Sequence, residues 1–448
     1  LEMIRTLQNN AVHRGIDIFM ECTITRLLTS EAGISGAFGY WRESGRFVAF
    51  SAPAVILATG GIGKAFKVTS NSWEYTGDGH FLALTVGADL IDMEFVQFHP
   101  TGMVWPPSVR GILVTEGVRG DGGVLRNSLG DRFMFEYIPE MFRTETAETE
   151  EEADRWYTDK KNARRTPDLL PRDEVARAIN SEVKAGRGSP HGGVFLDISS
   201  RRDADYIRRR LPSMYHQFKE LADIDITTAP MEVGPTCHYM MGGVRVDSDT
   251  QQSTIPGLFA AGEVAGGMHG ANRLGGNSLS DLVVFGMLAG RHAAEYSTAS
   301  GSPAPVPEEV LDDHAEEALA PFDEHGDENP YSIQNDLQEC MSSLVGIIRT
   351  ESEMLEALDR LARGAQGTVG SGACGRPSPV QPGLASSPRS QVFANGVRVH
   401  RPRRSRKAGK SWRPDPRRFS DHRRPMGQAA GRHPPAGRGG GGLSGTFV

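Results

Sequence analysis

Five short motifs set basic and polar side chains among glycines: "QFHPTG" with His99 and Thr101, "TEGVRGDGG" with Thr115, Glu116 and Arg119, "LLPRDEVAR" with Arg172, "TCHYMMGG" with His238, and "HGANRLGGNSL" with Arg273. Each alone has an ordinary explanation. A histidine beside proline is commonly structural, Arg172 can pair along a helix, and Asp78 in "TGDG" suits a turn. Taken together they offer two histidines, three arginines and two threonines around a single glutamate. That set suits a small dianion, because guanidinium and imidazole N–H groups match carboxylate geometry. The sequence has no Ser-His-Asp order, no zinc-ligand spacing and no Walker lysine. Arg273 is the sharpest cue, since it sits in a glycine-lined bend just before an apolar run, "LVVFGMLAG".

The elements that must position these groups follow from periodicity. Residues 16–30 and 36–61 alternate and are rich in β-branched residues, so they read as strands, the last ending in the tight Thr59-Gly60-Gly61 turn. The stretch "MIRTLQNNAVHRG" has helical spacing, and "ETEEEADRWYTDKKNARR" reads as a charged, solvated helix. Residues 171–186 read as a helix with Pro171 in its first turn and Gly186 at its end. A second helix is expected from Asn277, with Asn or Ser as its cap. Residues 307–362 look helical, most clearly over "SLVGIIRTESEMLEALDRLA". Strands ending in glycine turns, and a helix opening after Gly275-Gly276, suit a dinucleotide-like cofactor whose charge meets backbone N–H groups. Redox chemistry on a dicarboxylate, with the cofactor carrying the electrons, follows as the expected function.

At 448 residues the chain holds two or three domains and a large core. Cys22, Cys237, Cys340 and Cys374 are widely spaced, which points to a reduced, intracellular protein. No apolar run reaches the roughly 20 residues of a membrane span. The opening "LEMIRTLQNN" begins mid-helix and reads as a fragment. From Arg363 onward there are 17 Lys+Arg against 2 Asp+Glu, leaving 32 against 54 in the remainder, so two chemically different stretches join near residue 363. The basic stretch is rich in Pro, Gly and Ser and is expected to be disordered. Taken at face value it suggests a nucleic-acid-binding arm. Shifted by one base, codons allowed for "VQPGLASSPRSQ" yield "FNPGWHQALDLK", so an out-of-frame product is the expected origin and no nucleic-acid partner is expected.

As a set, "ATGG", "SNSWEYTGDG", "EFVQFHPTG", "TEGVRGDGG", "PRDEVARAI", "CHYMMGG", "AAGE" and "HGANRLGGNSL" resemble, in order, the flavoprotein subunit of succinate dehydrogenase and fumarate reductase, over residues 1–362. The tail hit above is also similar to that family's C-terminal helical region. The resemblance implies an α/β fold: a Rossmann-like FAD-binding domain interrupted by an α+β capping domain, followed by a partial helical region. Its boundaries fall at 1–98, 99–234, 235–300 and 301–362, with 363–448 as the tail. It implies succinate–fumarate interconversion by hydride exchange with FAD. His99 and Thr115 would hold one carboxylate, and His238 and Arg273 the other. Arg172 would shuttle the proton, with Glu116 and Arg119 behind it. Thr59, Gly60, Gly61, Asp78, Glu263, Ser278 and Leu279 match cofactor-contacting positions, and no metal site is implied. The implied partners are succinate or fumarate, with the iron–sulfur and membrane anchor subunits of respiratory complex II. The implied location is the cytoplasmic face of the plasma membrane, held through those subunits. The family's phosphate loop and its covalent flavin attachment histidine lie upstream of Leu1, so weak FAD binding by this chain is expected. An L-aspartate oxidase-like flavoenzyme and a non-catalytic remnant remain the alternatives.

Overall fold

A computed structural model describes residues 2–323 and 329–370. The first helix, α1 (Glu2–His13), buries none of its residues. Strands β1 (Cys22–Ser30), β2 (Gly33–Trp41) and β3 (Phe47–Ser51) form an antiparallel meander. The strand expected from residue 16 starts only at Cys22, because Glu21 sits in the left-handed region with φ 55° and breaks the extended run.

Strand β4 (Val55–Leu57) pairs in parallel with β11 (Leu258–Ala260), in a register that matches Ala260 to Leu57. Helix α2 (Asp78–Thr85) and the short pair β5 (Leu90–Ile91) and β10 (Gly243–Val244) complete this layer. Its core is made by Leu27, Ile34, Leu57, Leu82, Leu258 and Val264, among others. Parallel strands end together, so the turns after β4 and β11 emerge at one edge, where α/β sheets bind their ligands.

A second core lies on a four-stranded antiparallel sheet. Its order is β6 (Val96–Met103), β9 (Met231–Met240), β8 (Val194–Asp197), β7 (Val124–Arg126). Helix α5 (Arg172–Lys184) crosses it, with Val175, Ala178 and Ile179 packed among Met103, Leu196 and Val233. The expected junctions at 98/99 and 234/235 fall inside β6 and β9. Helix α3 (Gly117–Gly120), helix α4 (Glu150–Trp156), α6 (Ala204–Arg210) and α7 (Pro212–Ala222) fill the rest. The charged helix expected over 148–165 is therefore short. Beyond it the chain turns back, so that Arg164 Nε donates to Glu152 at 2.8 Å. Pro171 precedes the first turn of α5 as its cap residue, and Gly186 follows the end with φ 76°.

Helix α8 (Asn277–Ser300) begins without a side-chain cap; the residue before it is Gly276, at φ 88°. The expected Asn/Ser cap is thus replaced by a left-handed glycine, which lets the bend carrying Arg273 turn tightly into the helix. Helices α9 (Glu308–Asp323), α10 (Pro330–Leu344) and α11 (Glu351–Gly370) follow. The helical stretch expected over 343–362 is broken before residue 351. There Glu353 N–H donates to Thr350 Oγ1 at 3.3 Å and Thr350 N–H donates to Glu353 Oε2 at 3.1 Å, a reciprocal cap that starts a new helix. Helix α11 runs through residue 363, and the basic tail from residue 371, with the disorder and frame expectations placed on it, lies outside the described residues. Among the described residues no helix is long and apolar enough to cross a membrane.

Candidate active site

The parallel pair of β4 and β11 sets up the first half of the site. Ala261 N–H donates to Leu57 O at 3.0 Å, which fixes the two outgoing turns side by side. Gly60 takes φ 74°, and a Cβ added to Gly61 would lie 2.2 Å from Glu263 Oε1. Glycine at 61 is therefore what lets the buried Glu263 carboxyl approach the turn. Glu263 accepts a hydrogen bond from Met240 N–H at 2.9 Å, and burial pushes its carboxyl up to about 7. Thr59 reaches α2, since a Cβ on Gly79 would meet its hydroxyl. Asp78 opens α2 and accepts from Thr76 Oγ1 at 2.9 Å. Ser278 and Leu279 lie in the first turn of α8, beyond Gly275 and Gly276, and Leu279 is exposed. A Cβ at Gly276, the residue before this 24-residue helix, would meet nothing within 4 Å among the described residues. A crowded glycine turn, a neighbouring buried carboxyl and a helix N-terminus together form a cradle that fits an elongated anionic cofactor.

The second half is a cluster of cations. His99 on β6 lies opposite Thr236, so His238 on β9 is its diagonal neighbour, with ring centroids 5.4 Å apart. Both rings are buried or nearly so. Burial, then Arg119 and Arg172, hold His99 well below the usual imidazole range. Burial, then Arg273 and Arg172, lower His238 to about 4. Both are therefore neutral near pH 7 and supply N–H donors, while the positive charge belongs to the arginines. Nδ1 of His99 accepts from Thr101 N–H at 3.3 Å, and Nδ1 of His238 accepts from Ser70 Oγ at 2.7 Å. Each ring thus spends Nδ1 on its support and leaves Nε2 for the site.

Arg172, the first residue of α5, donates from Nε to Glu116 Oε2 at 3.3 Å. It also reaches the bend that carries Arg273, where a Cβ on Gly275 would sit 3.4 Å from Arg172 Nη2. Arg119 is wholly buried and donates to the backbone oxygen of Asp168. Tyr157 Oη donates to Arg119 O at 2.8 Å. Arg172 Nη1, Arg273 Nε, and Arg119 Nε and Nη2 are buried without a hydrogen-bond partner among the described residues. Unsatisfied buried guanidinium groups are costly. Three of them converging on one place mark a site built to receive an anion. Thr115 differs from the rest in being exposed, its hydroxyl accepting from Gly117 N–H at 3.3 Å. Among the described residues no group of three or more His, Cys, Asp or Glu is placed to hold a metal ion.

Sequence reasoning missed the side chains that support this cluster. Gln97 and Tyr239 hold Arg273, Ser70 holds His238, and Asp168 with Arg132 forms a buried ion pair behind Arg119, at 3.3 Å. Gln97 and Tyr239 stood inside the motifs "EFVQFHPTG" and "CHYMMGG", and only the strand pairing shows what they do.

Residues 2–279 match the family described as FAD binding domain. A subunit of the fumarate reductase (CoM/CoB) of Methanothermobacter marburgensis is 43% identical over 361 residues, covering 81% of this chain and 60% of the relative. The succinate dehydrogenase flavoprotein subunit of Coxiella burnetii is 36% identical, covering 81% of this chain and 59% of the relative. Among solved structures, Mycobacterium smegmatis Sdh1 in complex with UQ1 superposes with a TM-score of 0.72 at 56% identity, covering 87% of this chain and 62% of that one. The chain thus spans about three fifths of the length of the curated relatives it matches.

Proposed function

The chain belongs to the FAD-binding domain family, among the flavoprotein subunits of succinate dehydrogenase and fumarate reductase, and from that premise we propose that it carries the dicarboxylate site of a flavin-dependent succinate/fumarate oxidoreductase. One observation carries the reading: Arg119, Arg172 and Arg273 converge beside two neutral histidines and keep buried N–H groups without an acceptor among the described residues.

Thr59, Gly60, Gly61, Asp78, Glu263, Ser278 and Leu279 are the residues proposed to hold FAD. Bound there, FAD would supply the hydride chemistry of the interconversion. The chain's own residues do the remaining work. His99 and Thr115 bind one carboxylate, while His238 and Arg273 bind the other. Fixed donors at both ends of a four-carbon dianion polarise its double bond and favour charge developing at carbon. Arg172 then gives a proton to the carbon of the double bond that does not receive the hydride, or takes one from it in the reverse direction. A guanidinium is a poor acid in water. Here the proton leaves only as carbanion character builds, and Glu116, bonded to Nε, returns it. Arg119 stands behind Glu116 and Arg172 in the same relay. Electrons are proposed to pass to iron–sulfur and membrane anchor subunits, which would place the assembly at a membrane surface.

The test is binding, with the whole 448-residue chain mixed with FAD. Fumarate and the inert dicarboxylate malonate are expected to compete for one site, read by calorimetry and by a change in flavin absorbance. A chain that binds flavin yet shows no competition between the two dicarboxylates would sink the reading.

A further inference from the structure

Arg273 is gripped from two sides by residues that face each other across one strand pair. Gln97 of β6 and Tyr239 of β9 are direct partners in the ladder. Gln97 is 3% exposed, and its Oε1 accepts from Arg273 Nη2 at 3.0 Å. Its amide nitrogen donates to Arg273 O at 2.6 Å and to Asn272 Oδ1 at 2.5 Å. The Tyr239 ring lies under the guanidinium, 4.4 Å from centroid to carbon, and its hydroxyl donates to Asp281 at 3.2 Å. Asn272 in turn donates to Asp173 Oδ1 at 3.0 Å, and Asp173 is the neighbour of Arg172 on α5.

This socket is uncharged at its point of contact. Both a carboxylate and an amide can accept from a guanidinium, but a carboxylate makes the stronger bond. A glutamate at 97 would therefore bind the Arg273 guanidinium more strongly while cancelling the charge the substrate needs, and would lose the bonds donated to Arg273 O and Asn272 Oδ1. Resting on the proposed dicarboxylate function, we infer that Gln97 is a positioning residue that orients Arg273 with a neutral acceptor, keeps its charge for the substrate carboxylate, and ties it through Asn272 and Asp173 to the register of Arg172. Gln97 touches no reacting atom.

Two variants separate this role from simple packing. Gln97→Met keeps the size and neutrality but leaves three partners unsatisfied. Gln97→Glu keeps the shape and the acceptor for Arg273 Nη2, adds a charge beside Arg273, and loses the two bonds donated to Arg273 O and Asn272 Oδ1. In the full chain with FAD, Gln97→Glu is expected to weaken fumarate binding by about tenfold or more, the order of one hydrogen bond to a charged group. Gln97→Met is expected to weaken it less, although it gives up three bonds where Gln97→Glu gives up two. Affinity then runs opposite to the number of hydrogen bonds lost. A packing role predicts that affinity follows that number, with Gln97→Met at least as weak as Gln97→Glu, and that result overturns the inference while the dicarboxylate function stands. If the unmodified chain with FAD binds no fumarate, the function and the role of Gln97 fall together.

Discussion

Arg172 Nε bonds to Glu116 Oε2 at 3.3 Å, while Nη1 of the same guanidinium is buried without a partner among the described residues. One edge of the group is held by a carboxylate, and another carries a buried N–H still without a partner among the described residues. Because Arg172 starts α5, whose apolar face is locked into the second core, its position is rigid. Arg172→Ala is expected to lower turnover by at least about 10³-fold, on the order of 4 kcal/mol in the barrier, with a far smaller loss of dicarboxylate affinity. Arg172→Lys should rescue only in part, since a single ammonium cannot face Glu116 and substrate together. Stopped-flow oxidation of the reduced, FAD-loaded chain by fumarate reads both quantities. Near-normal turnover with lost affinity would make Arg172 a clamp.

Arg273 should behave in the opposite way. It is 5% exposed, and Nε has no acceptor among the described residues. Arg273→Ala leaves a carboxylate unpaired in a dry site and frees Gln97 Oε1 as well. Affinity for fumarate is expected to fall by about 30-fold or more, at the scale of a charge-assisted hydrogen bond, when titrated by calorimetry. Malonate binding should weaken in parallel, since both ligands need the clamp.

How much of this was legible beforehand depends on the distance over which each feature is encoded. The first residue of α5 and the glycine turn after β4 follow from neighbouring residues, so Arg172 and Gly60-Gly61 could be placed from local pattern. The cap of α8 is not decided by the sequence, because Gly276 and Asn277 both suit a helix start and only the backbone angle separates them. The break before Thr350 was hidden by an unbroken apolar period, although Thr350 and Glu353 carry the capping pattern. Gln97, Tyr239 and Asp281 act through contacts between segments far apart in sequence, which composition and spacing do not encode. The neutrality of His99 and His238 likewise follows from burial and from arginines on other elements.

Asp168 anchors the ground behind Arg119. Its side chain is 1% exposed and accepts from Leu125 N–H at 2.8 Å, Thr166 Oγ1 at 2.9 Å and Arg132 Nη2 at 3.3 Å. Removing it strands a backbone N–H and part of a buried guanidinium. Arg132 keeps Asp154 at 3.0 Å, so the loss is that of one partner and not of all. Asp168→Ala is expected to cost on the order of 3 kcal/mol, and Asp168→Asn about 1 kcal/mol because the bond from Leu125 survives. Urea unfolding should show the midpoint shifting at constant m. An unshifted midpoint for Asp168→Ala would remove Asp168 as the anchor.

Glu263 makes the stability of the chain depend on pH in a direction that can be worked out. Burial lifts its carboxyl to about 7, against the bond from Met240 and the attraction of Arg273. In the unfolded chain the same group loses its proton near the ordinary glutamate value of about 4.3. Between those limits the native state holds a proton that the unfolded state has released. Stability contributed by Glu263 therefore falls as pH rises through this window and is level above it. The buried histidines act the other way below their ordinary value, since His80, His99 and His238 resist the protons that unfolded imidazoles bind. Their effect is shared by wild type and variant, so the difference between the two isolates Glu263. Glu263→Gln can still accept from Met240 N–H and carries no charge to desolvate. Measured by urea unfolding, the stability of Glu263→Gln relative to wild type should rise by up to about 3 kcal/mol between about pH 4.5 and 7.5, the linkage equivalent of that displacement. The rise should be confined to that window. A difference that is flat with pH would mean that Glu263 is already ionised beside Gly61 in the folded chain, and that Arg273 compensates it more strongly than burial opposes it.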